Sequence, residues 1–162
     1  MNRAYEIRSK LKLGPPAQIG VVVADMDKAV EYYSSIFGLG PFTVYEFVPE
    51  KHWFMEEPSY IKVLIGKAMW GNIELELIRP VEGRSVHKDY LMTHGEGLQH
   101  LGFNVPNYDE MFEQFREAGF IPLMRAESYV DAYKGFLKAC SFDTQAVGGI
   151  IFEIIWKSWL MR

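Results

Sequence analysis

Four polar residues, Gln18, Glu76, His100 and Glu153, sit at the start of apolar runs or inside them and are spaced as two pairs. Gln18 opens Q-I-G-V-V-V, and His100 opens H-L-G-F-N-V 82 residues later. Glu76 lies in I-E-L-E-L-I and Glu153 in I-I-F-E-I-I, 77 residues apart. One imidazole, one amide oxygen and two carboxylates brought to a point suit a borderline-to-hard divalent cation such as Zn, Ni, Co, Mn or Fe(II). They do not suit a thiolate zinc site. Glu153 is the most informative of the four, because a carboxylate within G-G-I-I-F-E-I-I-W is costly to bury unpaired. Each of the others alone has an ordinary reading: Gln18 as a strand-start residue, His100 as a hydrogen-bonded histidine, Glu74 and Glu76 as one solvated strand face.

The elements that would position these residues are written twice. With Gln18 aligned to His100, Gly20 meets Gly102, Val23 meets Val105, Asp27 meets Asp109, Glu31 meets Glu113 and Tyr33 meets Phe115, without a gap. A sustained internal repeat means one supersecondary unit used twice. In the first copy Ile19–Val23 reads as a buried strand, and Asp25 and Asp27 supply N-cap chemistry. Lys28–Phe37 reads as a helix with Ala29, Val30, Tyr33, Ile36 and Phe37 on its inner face, stopped by Gly38 and Gly40. Strands follow at Phe42–Val48, Tyr60–Ile65 and Asn72–Ile78, with Pro49–Ser59 as a polar loop able to cover a pocket. The second copy runs through a strand at Leu101–Val105 and a helix at Tyr108–Ala118, with Met111, Phe112, Phe115 and Ala118 inward. Its further strands fall at Ile121–Ala126, Phe136–Asp143 and Ile150–Trp156. Each copy is therefore β-α-β-β-β, and the slip from 82 to 77 falls in loops, where insertions are cheap. The expected organisation is a lead-in over residues 1–16 ended by Gly14-Pro15-Pro16, then one α+β domain over 17–157. Its modules span about 17–80 and 98–157, joined by a connector at about 81–97 whose V-H-K-D-Y-L-M-T-H reads as a short helix. If the first and last strands of each module pair, both polar pairs meet near a pseudo-twofold axis.

Composition narrows the function. A net charge of −4 without a basic block argues against a nucleic-acid partner. The single cysteine, Cys140, excludes an intrachain disulfide and any cysteine-rich zinc site. No run reaches transmembrane length and the first residues lack a secretory pattern, so a cytoplasmic protein without membrane contact is the expectation. His52, Trp53, His87, Tyr90 and His94 are further candidates to line a pocket, each with an equally ordinary surface or packing reading. Gly148-Gly149 reads as a tight turn and not as a phosphate cradle, since no helix follows it.

I-G-V-V-V-A-D-M-D-K-A-V-E-Y-Y-S-S-I-F-G-L-G, I-E-L-E-L-I-R-P, H-G-E-G-L-Q-H-L-G-F-N-V and G-G-I-I-F-E-I-I-W, in that order, resemble the vicinal oxygen chelate superfamily. Its members include glyoxalase I, methylmalonyl-CoA epimerase, extradiol dioxygenases and bleomycin-resistance proteins. The resemblance covers about residues 17–157. It implies two βαβββ modules in tandem forming a cupped mixed sheet, a divalent metal (Zn, Ni, Co or Mn) held by Gln18, Glu76, His100 and Glu153, and a homodimer. Length and the connector look most like the epimerases, which have His where Gln18 stands; near the position of one proposed epimerase base stands Lys62. The Gln/Glu/His/Glu set looks like eukaryotic glyoxalase I, but the arginines that hold glutathione there correspond to Val22 and Glu96. Extradiol dioxygenases usually carry two histidines and a glutamate, which Gln18 breaks. The resemblance thus implies an isomerase or lyase that removes a proton beside a carbonyl through a metal-stabilised enolate. Glu153 is the expected base and Glu76 its symmetry-related partner, acting on an acyl-CoA thioester such as methylmalonyl-CoA or, next, a hemithioacetal. A non-catalytic protein that binds a small molecule in the same cup is the alternative of a different class.

Overall fold

Strand β1 (Gln18–Val22) and strand β7 (Gly97–Asn104), the two repeated stretches, lie antiparallel to each other at the middle of the sheet in the computed structural model, which describes residues 11–161. The first ten residues of the expected lead-in lie outside the described residues. On the far side of β1 runs β6 (Ile73–Gly83), and on the far side of β7 runs β10 (Ile151–Lys157), both parallel to their neighbours. Parallel neighbours need a crossover, and helices are part of each connection: α1 (Met26–Phe37) in the first half, α3 (Tyr108–Glu117) in the second. Asp25 caps α1 by accepting from Lys28 N at 3.1 Å, and Asn107 caps α3 by accepting from Glu110 N at 3.2 Å. Gly38, at φ 66°, closes α1 in the left-handed conformation that glycine tolerates best. The connector holds α2 (Val86–His94), capped by Ser85.

The remaining strands are β2 (Thr43–Phe47), β3 (Lys51–Phe54), β4 (Glu57–Pro58), β5 (Ile61–Trp70), β8 (Pro122–Val130) and β9 (Gly135–Phe142). The order across the ten-stranded sheet is β2-β5-β6-β1-β7-β10-β9-β8-β3-β4. One half is thus β2-β5-β6-β1, the other its counterpart β8-β9-β10-β7, and the cupped α+β arrangement expected from the repeat is present. The hairpin β3-β4 has no counterpart. It replaces most of the expected loop at Pro49–Ser59 and joins β8, a strand of the opposite half. Sequence gave little sign of it, because its two-residue turn is Met55-Glu56, at φ 52° and 67°. Turns of that kind are ordinarily signalled by Asn-Gly or Asp-Gly. Strand β5 also runs on into G-K-A-M-W-G as far as Trp70, leaving only Gly71-Asn72 as the turn, and β6 runs past the expected Ile78 to Gly83.

The hairpin fixes the curl of the sheet. Strand β2 lies at one edge and β3 near the other, yet only residues 48–50 connect them. Such a link spans at most about 14 Å, so the two ends of the sheet must approach each other. Within the link, Glu50 accepts from Tyr129 N of β8 at 3.2 Å.

Two apolar clusters lie under the crossover helices. One gathers Met111, Phe112 and Phe115 of α3 with Cys140, Phe142 and Ile154, with the Phe115 and Phe142 rings stacked at 4.4 Å. The other packs Ala29, Val30 and Tyr33 of α1 over Leu75 and Leu77. Ile36 and Phe37, expected inward, are 64% and 61% exposed. Helical spacing marks a stripe but not where the supporting surface ends, and Phe37 instead meets Tyr32 at 5.3 Å on the helix itself. The concave face carries Ile61, Val63, Ile65 and Ile78 in one cluster and Phe54, Val86, Met124 and Ile151 in another.

The repeated glycines have a steric cause. In the β1–β7 register Gly20 faces His100 and Gly102 faces Gln18. A Cβ on Gly20 would lie 1.9 Å from the His100 ring, and one on Gly102 would lie 2.8 Å from Gln18 Oε1. Each polar side chain therefore lies over the other copy's glycine. Replacing Gly20 by Ala is expected to displace the ring and to destabilise the protein by about 1–3 kcal/mol, as overpacking does. Urea denaturation checks this: an unchanged midpoint would show that His100 does not rest on this backbone.

Candidate functional site

The register that buries His100 also aligns its neighbours. Across the sheet, Glu76 of β6, Gly20 of β1 and His100 of β7 form one row, while Gln18 of β1, Gly102 of β7 and Glu153 of β10 form another. His100 Nε2 lies 3.6 Å from Glu76 Oε2 and 3.5 Å from Glu153 Oε2. Gln18 donates through Nε2 to Glu74 Oε1 at 2.9 Å, and its buried Oε1 has no partner. Gln18, Glu76 and Glu153 line one cavity in the cup, with His100 buried beside them. All four residues singled out from the sequence are thus brought together.

A fifth residue, Gln99, sets the state of the imidazole. Its Nε2 donates to Val86 O at 2.9 Å, which turns Oε1 toward His87 Nδ1 at 2.8 Å and His100 Nδ1 at 3.1 Å. An amide oxygen only accepts, so both rings must donate through Nδ1, and neutral His100 carries its lone pair on Nε2, toward the carboxylates. That nitrogen is buried and has no hydrogen-bond partner. Burial opposes a proton there, but Glu76 and Glu153 outweigh it and raise the His100 pKa. His87 lines the cavity; burial, reinforced by His100, lowers its pKa to about 4 and keeps it neutral.

The two carboxylates are not equivalent. Lys67 of β5 sits opposite Glu76 in the register and places Nζ 3.1 Å from Glu76 Oε1 and 3.0 Å from Glu74 Oε1. Burial works against ionisation of Glu76, yet Lys67 and then His100 overcome it and hold the carboxyl at about 2. At the matching place in the other half, β9 sets Ser141 opposite Glu153. Its hydroxyl reaches Glu153 Oε1 only at 3.5 Å. Burial, with Glu76 adding to it, raises the Glu153 pKa, against a smaller pull from His100 and Lys67.

Lys67, Gln99 and Ser141 were missed from the sequence. The period of two offered a signal for Lys67: in I-K-V-L-I-G-K it shares a face with Ile61, Val63 and Ile65. Lys62, the residue near the expected base position, has the opposite phase and pairs with Glu46 at 3.7 Å and Glu82 at 3.2 Å, away from the cavity lining. Glu96, at the other place of an expected glutathione arginine, accepts from Ala24 N at 2.7 Å. Of the weaker candidates only His87 lines the cavity. Trp53 lies under Arg125 at 4.6 Å, and Tyr90 donates to Leu98 O while stacking on exposed His94 at 4.6 Å. His52 is buried with neither ring nitrogen partnered. Gly148 and Gly149, at φ 82° and 70°, form the expected turn.

Among the described residues, no three His, Cys, Asp or Glu side chains already stand around a point able to hold a metal ion. The donor chemistry nonetheless fits one. Two buried acceptors without partners, Gln18 Oε1 and a neutral His100 Nε2, accompany two carboxylates, and the site's outstanding requirement is positive charge.

Comparison with known proteins agrees with the fold. The profile of the Glyoxalase/Bleomycin resistance protein/Dioxygenase superfamily matches residues 17–136, and the chain belongs to that superfamily. No curated protein sequence matches. Among solved structures, hypothetical protein BH1468 from Bacillus halodurans C-125 is similar with a TM-score of 0.62 at 15% identity, over 88% of this chain and 93% of that one. Methylmalonyl-CoA epimerase from Mycobacterium tuberculosis gives 0.57 at 19%, over 93% and 92%. A variant of Streptomyces coelicolor methylmalonyl-CoA epimerase in complex with 2-nitronate-propionyl-CoA gives 0.58 at 20%, over 90% and 95%. No helix among the described residues is long and apolar enough to cross a membrane.

Burial alone lowers the His52 pKa to about 4, below its ordinary value of 6.5. As pH falls through that window the unfolded chain binds a proton that the native ring refuses, so stability is lost with acidification. His52→Phe is expected to shrink the drop in urea midpoint between pH 7 and pH 5. A drop equal to that of the wild type would show that His52 protonates in the folded protein.

Proposed function

We propose that the cup is the active site of a divalent-metal-dependent isomerase or lyase that abstracts a proton alpha to a carbonyl, most like a methylmalonyl-CoA epimerase. The observation that carries this is the divergence of two symmetry-related buried carboxylates. Glu76 is kept ionised by Lys67, whereas Glu153 lacks such a partner and is the more basic of the two. Environments that push paired carboxylates apart in this way assign the base. Gln18, Glu76, His100 and Glu153 would hold the metal. When bound, it supplies Lewis-acid stabilisation of the negative charge that develops on the substrate oxygen.

The chain's own groups do the rest. Gln99 fixes the His100 tautomer, so that the imidazole offers a lone pair and stays in place. A carboxylate oxygen of Glu153 takes the alpha proton, and the C–H electron pair moves into the carbonyl as an enolate. Ile61, Val63, Ile65 and Ile155 line the same cavity and limit the water around that charge. For epimerisation the proton must return on the other face, and Glu76 is the symmetry-related carboxylate for that task. The Lys67 contact makes Glu76 a weak carrier, which favours, as a second reading, a single-base shuttle of the glyoxalase I type on a hemithioacetal. Acyl-CoA thioesters are the first substrate class because several similar structures are methylmalonyl-CoA epimerases. A cytoplasmic homodimer belongs to the same proposal on family likeness.

Glu153→Gln is expected to cut deuterium incorporation at C2 of methylmalonyl-CoA by at least ~100-fold, with ester binding retained; exchange at the wild-type rate would remove Glu153 as the base. Elemental analysis of untagged protein purified without chelator should find about one divalent metal per chain, lost in His100→Ala. Failure to bind Zn, Ni, Co or Mn even when they are added would leave a binding pocket in place of an enzyme.

A further inference from the structure

One buried polar side chain near the cup has no part in the cluster around His100. His52, on the hairpin β3-β4 that lacks a counterpart in the repeat, is 5% exposed, and neither ring nitrogen has a hydrogen-bond partner. The register gives its direction. His52 pairs with Ala126 of β8, Ala126 with Ala139 of β9, and Ala139 with Ile155 of β10. Residues directly opposite in antiparallel strands point to the same face, and Ala126, Ala139 and Ile155 all line the cavity. Trp53 and Arg125, one residue out of phase, pack together beside Phe112 of α3 on the other face.

His52 therefore stands at the end of a lining row, its Cβ about 5 Å from that of Ala126. A methyl group is all that Ala126 places between the imidazole and the cavity. His87, which lines the cavity, feels the same ring: its pKa is lowered by burial, then by His100, and further by His52. A neutral imidazole has one N–H and one lone pair, and burying both unpaired is a standing cost that a ligand's hydrogen-bonding group offsets. Burial holds the His52 pKa at about 4, so at neutral pH the ring is uncharged and favours a neutral partner over an anion.

The place on the sheet decides which part of a ligand comes near. Phe54, Met124, Ser141 and Glu153 form the neighbouring row. His52 is thus three strands from β10, about 14 Å along the sheet, a separation that the curl shortens for side chains pointing inward. That is too far for a group on a carbon held at Glu153, and suits the arm that leaves it. In acyl-CoA thioesters and glutathione hemithioacetals alike, the arm carries an amide whose nitrogen is two carbons beyond the sulfur. We propose that His52 is a specificity-determining residue that hydrogen-bonds this amide. This rests on the reading of the cup as the site of a thioester or hemithioacetal.

Two methylmalonyl thioesters of equal length test the proposal: that of N-acetylcysteamine, which carries the amide, and the S-pentyl ester, in which methylene groups replace the N–H and the carbonyl. Titrations of the protein as purified, followed by NMR, give both affinities. Their ratio should fall at least about fivefold in favour of the pentyl ester in His52→Phe. His52→Gln, which keeps a donor and an acceptor, should hold it within about twofold of wild type. In the wild type, the ring nitrogens of His52, one of four histidines, should change chemical shift with the amide ester and not with the pentyl ester. An equal ratio in wild type and His52→Phe, His52 nitrogens unmoved by the amide ester, or no binding of either ester would overturn the proposal. Alpha-proton exchange on the same samples separates the two readings. An amide preference lost in His52→Phe, in a wild type that exchanges no proton, keeps the contact and removes the enzyme. Exchange in a wild type whose ratio His52→Phe leaves unchanged does the reverse.

Discussion

The antiparallel contact between β1 and β7 governs the rest of the structure. Two copies of a short strand face each other in a register that sets each copy's polar residue against the other's glycine. With no Cβ at Gly20, the His100 ring lies on bare backbone and reaches the carboxylates on both sides. A slip of one residue would turn every side chain of β1 to the other face. Gln18 would then leave the cavity, and Ile19 would enter it from under α1. The apolar core on one face and the polar cluster on the other thus specify the same register. The parallel strands β6 and β10 then need only pair with β1 and β7 to deliver Glu76 and Glu153.

The second constraint is closure. A cup needs its edges brought round, and three residues between β2 and β3 do this more tightly than side-chain packing alone. The hairpin β3-β4 crosses to the opposite half, so the two modules are interlocked and not merely juxtaposed. Phe54 of that hairpin packs with Met124 and Ile151 of the second half and Val86 of α2. The wall of the cup on this side is therefore assembled from both copies and the connector.

What the sequence showed and what it hid follow from the range of the forces involved. Repetition, strand runs, Asp25 as a cap, the helix at Val86–His94 and the convergence of Gln18, Glu76, His100 and Glu153 were legible. They depend on local periodicity and on a symmetry written into the chain. The hairpin was hidden because Met55-Glu56 adopts positive φ without the residues that announce it. Exposure of Ile36 and Phe37 was hidden because amphipathic spacing says nothing about where the sheet beneath a helix stops. Gln99 was overlooked because strict alternation would turn it away from His100, whereas the β1–β7 register shifts at this residue and its amide oxygen reaches His100 Nδ1. Its role exists only through Val86 and His87, brought in by α2.

Symmetry alone would leave the site with two equal carboxylates, and equal carboxylates cannot divide the work of holding charge and moving a proton. Two of the chain's departures from its own repeat set the character of the site. Gln18 stands in the first copy where His100 stands in the second, giving one amide oxygen and one imidazole where exact duplication would give a like pair. Lys67 opposes Glu76 where Ser141 opposes Glu153. The second departure has the larger electrostatic consequence, because an ammonium at 3.1 Å in a poorly solvated place stabilises a carboxylate far more than a hydroxyl at 3.5 Å. Substituting Lys67 would therefore do more than remove an ion pair: it would bring Glu76 and Glu153 toward the same basicity. The fold supplies a symmetric frame, and the strand neighbours β5 and β9 decide which of its carboxylates is free to accept a proton.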